Sequence, residues 1–137
     1  DGAFMMTASE LATAVSQNLG LVIGVFNDGE LSQITQAQQI PYNRKTCSVL
    51  PQIKLKGLAM ATGAEYVRIE TNSDIKSGLT KAREFAQKSK AVILDINIDY
   101  SKATAFTEGA VKTNLKRMPL PTKVRMVGRA MVRKVTK

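Results

Sequence analysis

Residues 21–29 read Leu21-Val22-Ile23-Gly24-Val25-Phe26-Asn27-Asp28-Gly29, an uninterrupted apolar run of strand length that stops at a turn signal. Such a run predicts a strand buried on both faces, as parallel sheets require. Ala91-Val92-Ile93-Leu94-Asp95-Ile96 repeats the pattern, and Tyr66 to Ile69 is strand-like. Helical stretches fill the intervals. Thr7-Ala8-Ser9-Glu10 has capping-box spacing and predicts a helix start, followed at helical intervals by Leu11, Ala12, Val15 and Leu19 until Asn18 to Gly20 closes the segment. Leu31 to Ile40 predicts a short helix ended by Pro41, and the polar stretch from Tyr42 to Pro51 a loop. A further helix is expected from Ile53 to Thr62, with Gly63 at its end. Ser73 and Asp74 are placed to cap another, with Ile75, Leu79, Ala82 and Ala86 on one face. Helices alternating with short apolar strands imply an α/β domain: a parallel sheet joined by helical crossovers.

The chain has 137 residues, of which 44% are apolar and 23% charged, enough for one compact domain. No apolar run approaches the roughly 18 to 20 residues needed to span a bilayer, and no charged-then-apolar leader opens the sequence. The lone Cys47 cannot form an internal disulfide and fits a reducing cytosol, so a cytoplasmic location is expected. Histidine is absent, which removes Ser-His-Asp and Cys-His catalysis and His-based zinc sites. Chemistry then falls to carboxylates, a bound cofactor or the backbone. Residues 1–100 carry ten basic and ten acidic side chains, so the net charge of +9 lies in residues 101–137, where Glu108 is the single acid. The chain therefore divides into a body, residues 1–100, and a basic tail, residues 101–137. It opens on Asp1, without an initiator methionine, which implies processing or a piece of something longer.

In open parallel sheets ligands bind beyond the carboxyl ends of the strands. Asp28 sits at such an end, and Asp1-Gly2, just before a helix, is expected at the same edge. Strands about 4.8 Å apart would bring the two carboxylates to one spot. Two carboxylates and a backbone carbonyl form an oxygen set suited to Mg²⁺, which usually shares its shell with phosphates. Gly2 allows a ligand close to the backbone, and the helix start offers N–H groups to an anion. The plainer reading is that Asp-Gly is an ordinary turn dipeptide.

Asp1-Gly2-Ala3-Phe4-Met5-Met6, then Glu10-Leu11-Ala12-Thr13-Ala14, then Asn27-Asp28-Gly29-Glu30-Leu31 together resemble the cofactor motif of thiamine diphosphate-dependent enzymes, in the branch of acetolactate synthases and pyruvate oxidases. The family motif opens Gly-Asp-Gly and closes on a double asparagine; the first glycine is missing here, and Asp28 stands where most members have asparagine. The likeness continues through Gln36, Gln39, Tyr42 and Arg44 and, more loosely, over 91–99 and 106–129. It implies that Asp1 and Asp28, with the backbone carbonyl of Glu30, hold a Mg²⁺ bridging to the cofactor diphosphate. Gly2 and Ala3 would give N–H groups to the phosphates, and Asn27 would shape the turn. It also implies action on pyruvate or a related 2-oxo acid, by decarboxylation with acyl transfer, carboligation or oxidation. The activating glutamate belongs to a pyrimidine-binding domain of a partner subunit, and the residues that bend the cofactor lie upstream of Asp1. The chain then resembles the back part of a diphosphate-binding domain, inert alone, completed by the upstream part of the same enzyme within a homo-oligomer.

Gln36, Gln39, Tyr42 and Arg44 are expected either toward substrate or in solvated loop. Met5 and Met6 read as packing, and Cys47 is unassigned. In the tail, Val124, Val127, Met131 and Val135 alternate with the row Arg125, Arg129, Arg133 and Lys137, giving a basic amphipathic helix weakened by Gly128. Docking on a partner domain is the main expectation for it. The alternative is a non-catalytic α/β module contacting membrane or nucleic acid, the latter disfavoured because stacking aromatics are lacking. A nucleotide-binding enzyme is a further rival, opposed by the absence of Gly-x-Gly-x-x-Gly and Gly-Lys-Ser/Thr loops.

Overall fold

The computed structural model describes residues 1–42, 44–100, 102 and 105–135. It contains two compact units, residues 1–29 with 51–98, and residues 30–50 with 99–137.

The first unit holds a three-stranded parallel sheet of β1 (Val22–Asn27), β2 (Glu65–Ile69) and β3 (Val92–Asn97), in the order β1-β3-β2. β3 is central because its two neighbours both pair with it, Val22 and Glu65 each lying opposite Val92. The α/β class with a parallel sheet is thus observed. Side chains alternate across the sheet, so each face builds its own core. On one face Val25 and Ile93 meet α2 (Glu10–Ser16) and α4 (Leu55–Thr62) through Leu11, Ala14, Leu55 and Ala59. On the other, Val67, Ile69, Val92 and Leu94 meet α5 (Ile75–Gln87) through Ala82 and Phe85. Fully burying an aliphatic side chain such as Ile93 stabilises by roughly 1.5–3 kcal/mol.

Several local expectations are corrected. β1 is not buried on both faces: Val25 is buried, whereas Val22 and Phe26 are 44% and 52% exposed. β1 is an edge strand in this sheet, and α5 packs mainly against β2 and β3. Helical turns begin earlier than the Thr7 box, at α1 (Gly2–Met5), which Asp1 caps. Thr7 lies in the turn between α1 and α2, where both its N–H and its hydroxyl donate to the Phe4 carbonyl, so its hydroxyl turns back instead of capping α2. In α2 the buried pair is Leu11 and Ala14, while Ala12 and Leu19 are exposed. The start of α5 is set by Thr71, which forms a capping box with Asp74 around a 3-10 turn, and neither Ser73 nor Asp74 caps it. Those two bonds from Thr71 hold the Asp74 carboxyl below the usual carboxylate range. The buried row of α5 is Gly78 and Ala82, leaving Ile75 and Leu79 exposed. Gly78 explains the rotation: a Cβ there would lie 2.7 Å from Ile69 Cγ1, so the helix rests on its small side. α4 ends at Gly63 in the left-handed region, as expected.

The second unit contains α3 (Ser32–Tyr42), α6 (Ala105–Arg117) and α7 (Leu120–Val135). α3 runs one residue past Pro41. Gln38 brackets the following loop, accepting from Thr46 N–H at 2.8 Å and donating to Thr46 carbonyl at 2.9 Å, while Thr35 donates to the buried Ser48 hydroxyl. α7 continues through Gly128, with Val124, Val127 and Met131 exposed. Lys137 and the side chains of Arg133 and Val135 lie outside the described residues. Among the described residues no helix is long and apolar enough to cross a membrane.

Candidate functional site

The site is built where β1 leaves the sheet. Asp1 lies beside the carboxyl end of β1, its terminal amino group 2.7 Å from the Phe26 carbonyl. One carboxylate oxygen of Asp1, Oδ1, accepts the Gly2 N–H at 2.7 Å, and the other, Oδ2, accepts the Gly29 N–H at 3.0 Å. The segments at 1–3 and 27–29 are therefore adjacent. Gly29 has φ of +72°, a backbone state that glycine adopts without strain and that turns its amide toward Asp1. Asp28 is half-buried between Asn27 and Gly29.

Of the residues expected at the site, Asp1, Gly2, Asn27 and Asp28 lie together in the first unit, with Ala3 in the first turn of α1. The Gly2 N–H is engaged by Asp1. Glu30 belongs to the second unit, where its side chain pairs with Lys45 and its backbone forms an antiparallel bridge with Val49. Gln36 lies on α3, its amide donating to the Tyr100 and Lys102 carbonyls. Arg44 and Cys47 are exposed, and the side chains of Gln39 and Tyr42 lie outside those described.

Sequence reasoning missed a polar cluster on the same face of the sheet. Asp95, 3% exposed in the central strand, accepts from Arg68 Nη1 at 2.6 Å, from the Tyr66 hydroxyl at 2.6 Å and from Asn27 Nδ2 at 3.2 Å. Arg68 also donates from Nε to Glu70 at 2.6 Å. Burial, then the bond to Asp95, pushes the Tyr66 phenol up to about 12. The bond to Glu70 leads the causes that hold the Arg68 guanidinium more firmly charged than usual, with Asp95 adding to it. A charged residue within the aliphatic run Val-Ile-Leu-Asp-Ile was the available signal, with Arg68 on another predicted strand as its partner. A cleft of about 610 Å³ opens beside this cluster, bordered by Asn27, Asp28, Lys54, Tyr66, Arg68 and Asp95.

The donor chemistry fits a divalent cation bound with a phosphate ligand. An ionised carboxylate has about four lone-pair sites, and the two N–H bonds to Asp1 leave others for a metal. Among the described residues no three His, Cys, Asp or Glu side chains converge. A cation held at this turn would draw the rest of its shell from carbonyl, water and phosphate oxygens, the ligand types that Mg²⁺ accepts.

Residues 1–96 match the family described as thiamine pyrophosphate enzyme, C-terminal TPP binding domain. The chain belongs to this family. Thiamine pyrophosphate and thiamine diphosphate are the same cofactor, so the resemblance carried by the Asp1 and Asp28 segments holds. Among curated relatives, a probable acetolactate synthase large subunit of Methanococcus aeolicus is 34% identical over 121 residues, covering 84% of this chain and 19% of the relative. An acetolactate synthase of Bacillus subtilis is 31% identical over 101 residues, 74% and 17% respectively. A putative acetolactate synthase large subunit of Mycobacterium tuberculosis is 30% identical over 99 residues, 72% and 17%. The chain spans less than a fifth of the length of these relatives. It is a TPP-binding domain of the acetolactate synthase-like type, and the matches give no support to a non-catalytic membrane or nucleic-acid module.

Proposed function

We propose that this chain supplies the Mg²⁺ and diphosphate subsite of an acetolactate synthase-like enzyme acting on pyruvate or a related 2-oxo acid. The observation that carries the reading is the Asp1 carboxylate, held by Gly2 and Gly29 N–H groups at the carboxyl end of β1. Asp1 and Asp28 would present oxygens to the cation, joined by the backbone carbonyl of Glu30. Ala3, with Gly2 beside it, would face the phosphates, and Asn27 would hold the turn. When bound, the cofactor supplies carbanion stabilisation after addition to the 2-oxo acid, leading to acyl transfer, carboligation or oxidation. The work of this chain's residues is to bind and orient. Asp1 and Asp28 neutralise the cation, and the hydrogen bonds on Asp1 fix its direction before ligand arrives. Residues 1–100 are the cofactor-binding portion and 101–137 a basic tail that docks on protein.

Because the relatives are so much longer, the activating carboxylate and the pyrimidine pocket are assigned to the rest of the enzyme and to a partner subunit in a cytoplasmic homo-oligomer. The 137-residue chain alone is expected to consume no pyruvate. Thermal unfolding of the full-length enzyme that carries it tests the cofactor reading. Mg²⁺ with thiamine diphosphate should raise the midpoint, and Asp28→Ala should abolish most of the rise. An equal rise in the variant would refute the proposal.

A further inference from the structure

We propose that Tyr66, Arg68 and Asp95 are positioning residues that set the Asn27–Asp28–Gly29 turn and, through it, the affinity of that turn for a divalent cation and diphosphate. The affinity part rests on the cofactor reading above; the geometric part does not.

Strand register sets the geometry. Val25 and Arg68 are the partners of Asp95 on either side of β3. Residues two apart share a face, so the Asp95 carboxylate reaches diagonally forward to Asn27 on β1 and diagonally back to Tyr66 on β2. Asn27 is the last residue of β1, and beyond it the chain turns away from the sheet. On the far side of the turn, Gly29 holds Asp1. What fixes Asn27 therefore fixes the start of the turn. Its carbonyl receives a long bond from Ile98 N–H, at 3.4 Å, and its side-chain amide is tied to Asp95.

Asp95 is a firm anchor. Two short charge-assisted bonds, both 2.6 Å, hold its oxygens from the β2 side. A carboxylate in a central strand carries a desolvation penalty that Ile93, Leu94 and Ile96 around it do not. Packing alone gives no reason for it. Among the described residues its partners are Arg68, Tyr66 and Asn27, and Asn27 alone of these leads toward the turn.

The test uses the full-length enzyme with Tyr66→Phe and Asp95→Asn, read by hydrogen exchange without ligand and by calorimetric Mg²⁺ titration with thiamine diphosphate present. Tyr66→Phe removes one oxygen and keeps the ring. The Gly29 amide should exchange about tenfold faster in Asp95→Asn and a few-fold faster in Tyr66→Phe, while Val92 to Leu94 amides keep their protection. The Mg²⁺ dissociation constant should rise by about the same factors. Wild-type Gly29 exchange in a variant whose core amides stay protected would overturn the positioning role. Faster exchange with unchanged Mg²⁺ affinity would overturn the affinity claim alone. If Asp95→Asn does not fold, Tyr66→Phe decides by the same two readings. If the wild-type enzyme takes up no Mg²⁺ and cofactor, the cofactor reading fails, and Gly29 exchange still decides the geometry.

Discussion

The carboxylate of Asp1 accepts the backbone N–H of Gly29 at 3.0 Å, across 28 positions of sequence. This bond joins the two halves of the family motif. It ties Asp1 to the turn at 27–29, so the two segments are held as one unit.

Gly29→Ala should therefore weaken the turn. With φ of +72° and nothing within 4 Å of an added Cβ, the penalty is conformational, about 1–2 kcal/mol. Chemical denaturation should show a loss of that size, and cofactor affinity should fall with it.

Metal and cofactor should bind as a coupled pair. On the proposed reading Asp28 adds a second carboxylate to the site, so without the cation it should repel a diphosphate. Thiamine diphosphate binding to the full-length enzyme should collapse on adding EDTA and return with Mg²⁺. Asp28→Asn should bind the metal less tightly and tolerate its removal better; calorimetry with and without EDTA measures both.

Tyr66 should ionise near pH 12 rather than near the ordinary value of 10. Its folded value is the higher one, so its protonated form favours the folded state. That stability is fully present below pH 10 and is lost as pH rises toward 12. Spectroscopic tyrosinate titration of the folded protein should show a late step that Tyr66→Phe removes.

Gly78→Ala should destabilise although alanine is the better helix former. The new Cβ would meet Ile69 Cγ1 at 2.7 Å and Cδ1 at 3.1 Å, so Ile69 or the whole helix must shift. Overpacking of this kind costs typically 1–3 kcal/mol. Gly109→Ala, with open space around it, provides the control for urea unfolding.

The runs at 21–26 and 91–96 disclosed a parallel sheet because an aliphatic strand can be read without knowing its neighbours. The nearness of residues 1 and 27–29 was also legible, since a strand end and a capped segment had to share one sheet edge. Exposure was less so. Whether β1 is covered depends on where α5 lands, and that is decided by the close approach at Gly78, which periodicity does not encode. The Thr7 motif misled because its hydroxyl turns back to the Phe4 carbonyl instead of reaching the start of α2. The Asp95 cluster needed strand register, because its members come from three strands that sequence order does not align.

β1 pairs on one side only among the described strands, and the sequence along it, Leu-Val-Ile-Gly-Val-Phe, has no charge, no proline and high β-propensity. Such a hexapeptide matches what steric-zipper fibrils are made of, and no gatekeeper lysine interrupts it. Kept concentrated without a covering strand, the chain should convert slowly to cross-β aggregates nucleated at residues 21–26, and seeding or dye binding would reveal them.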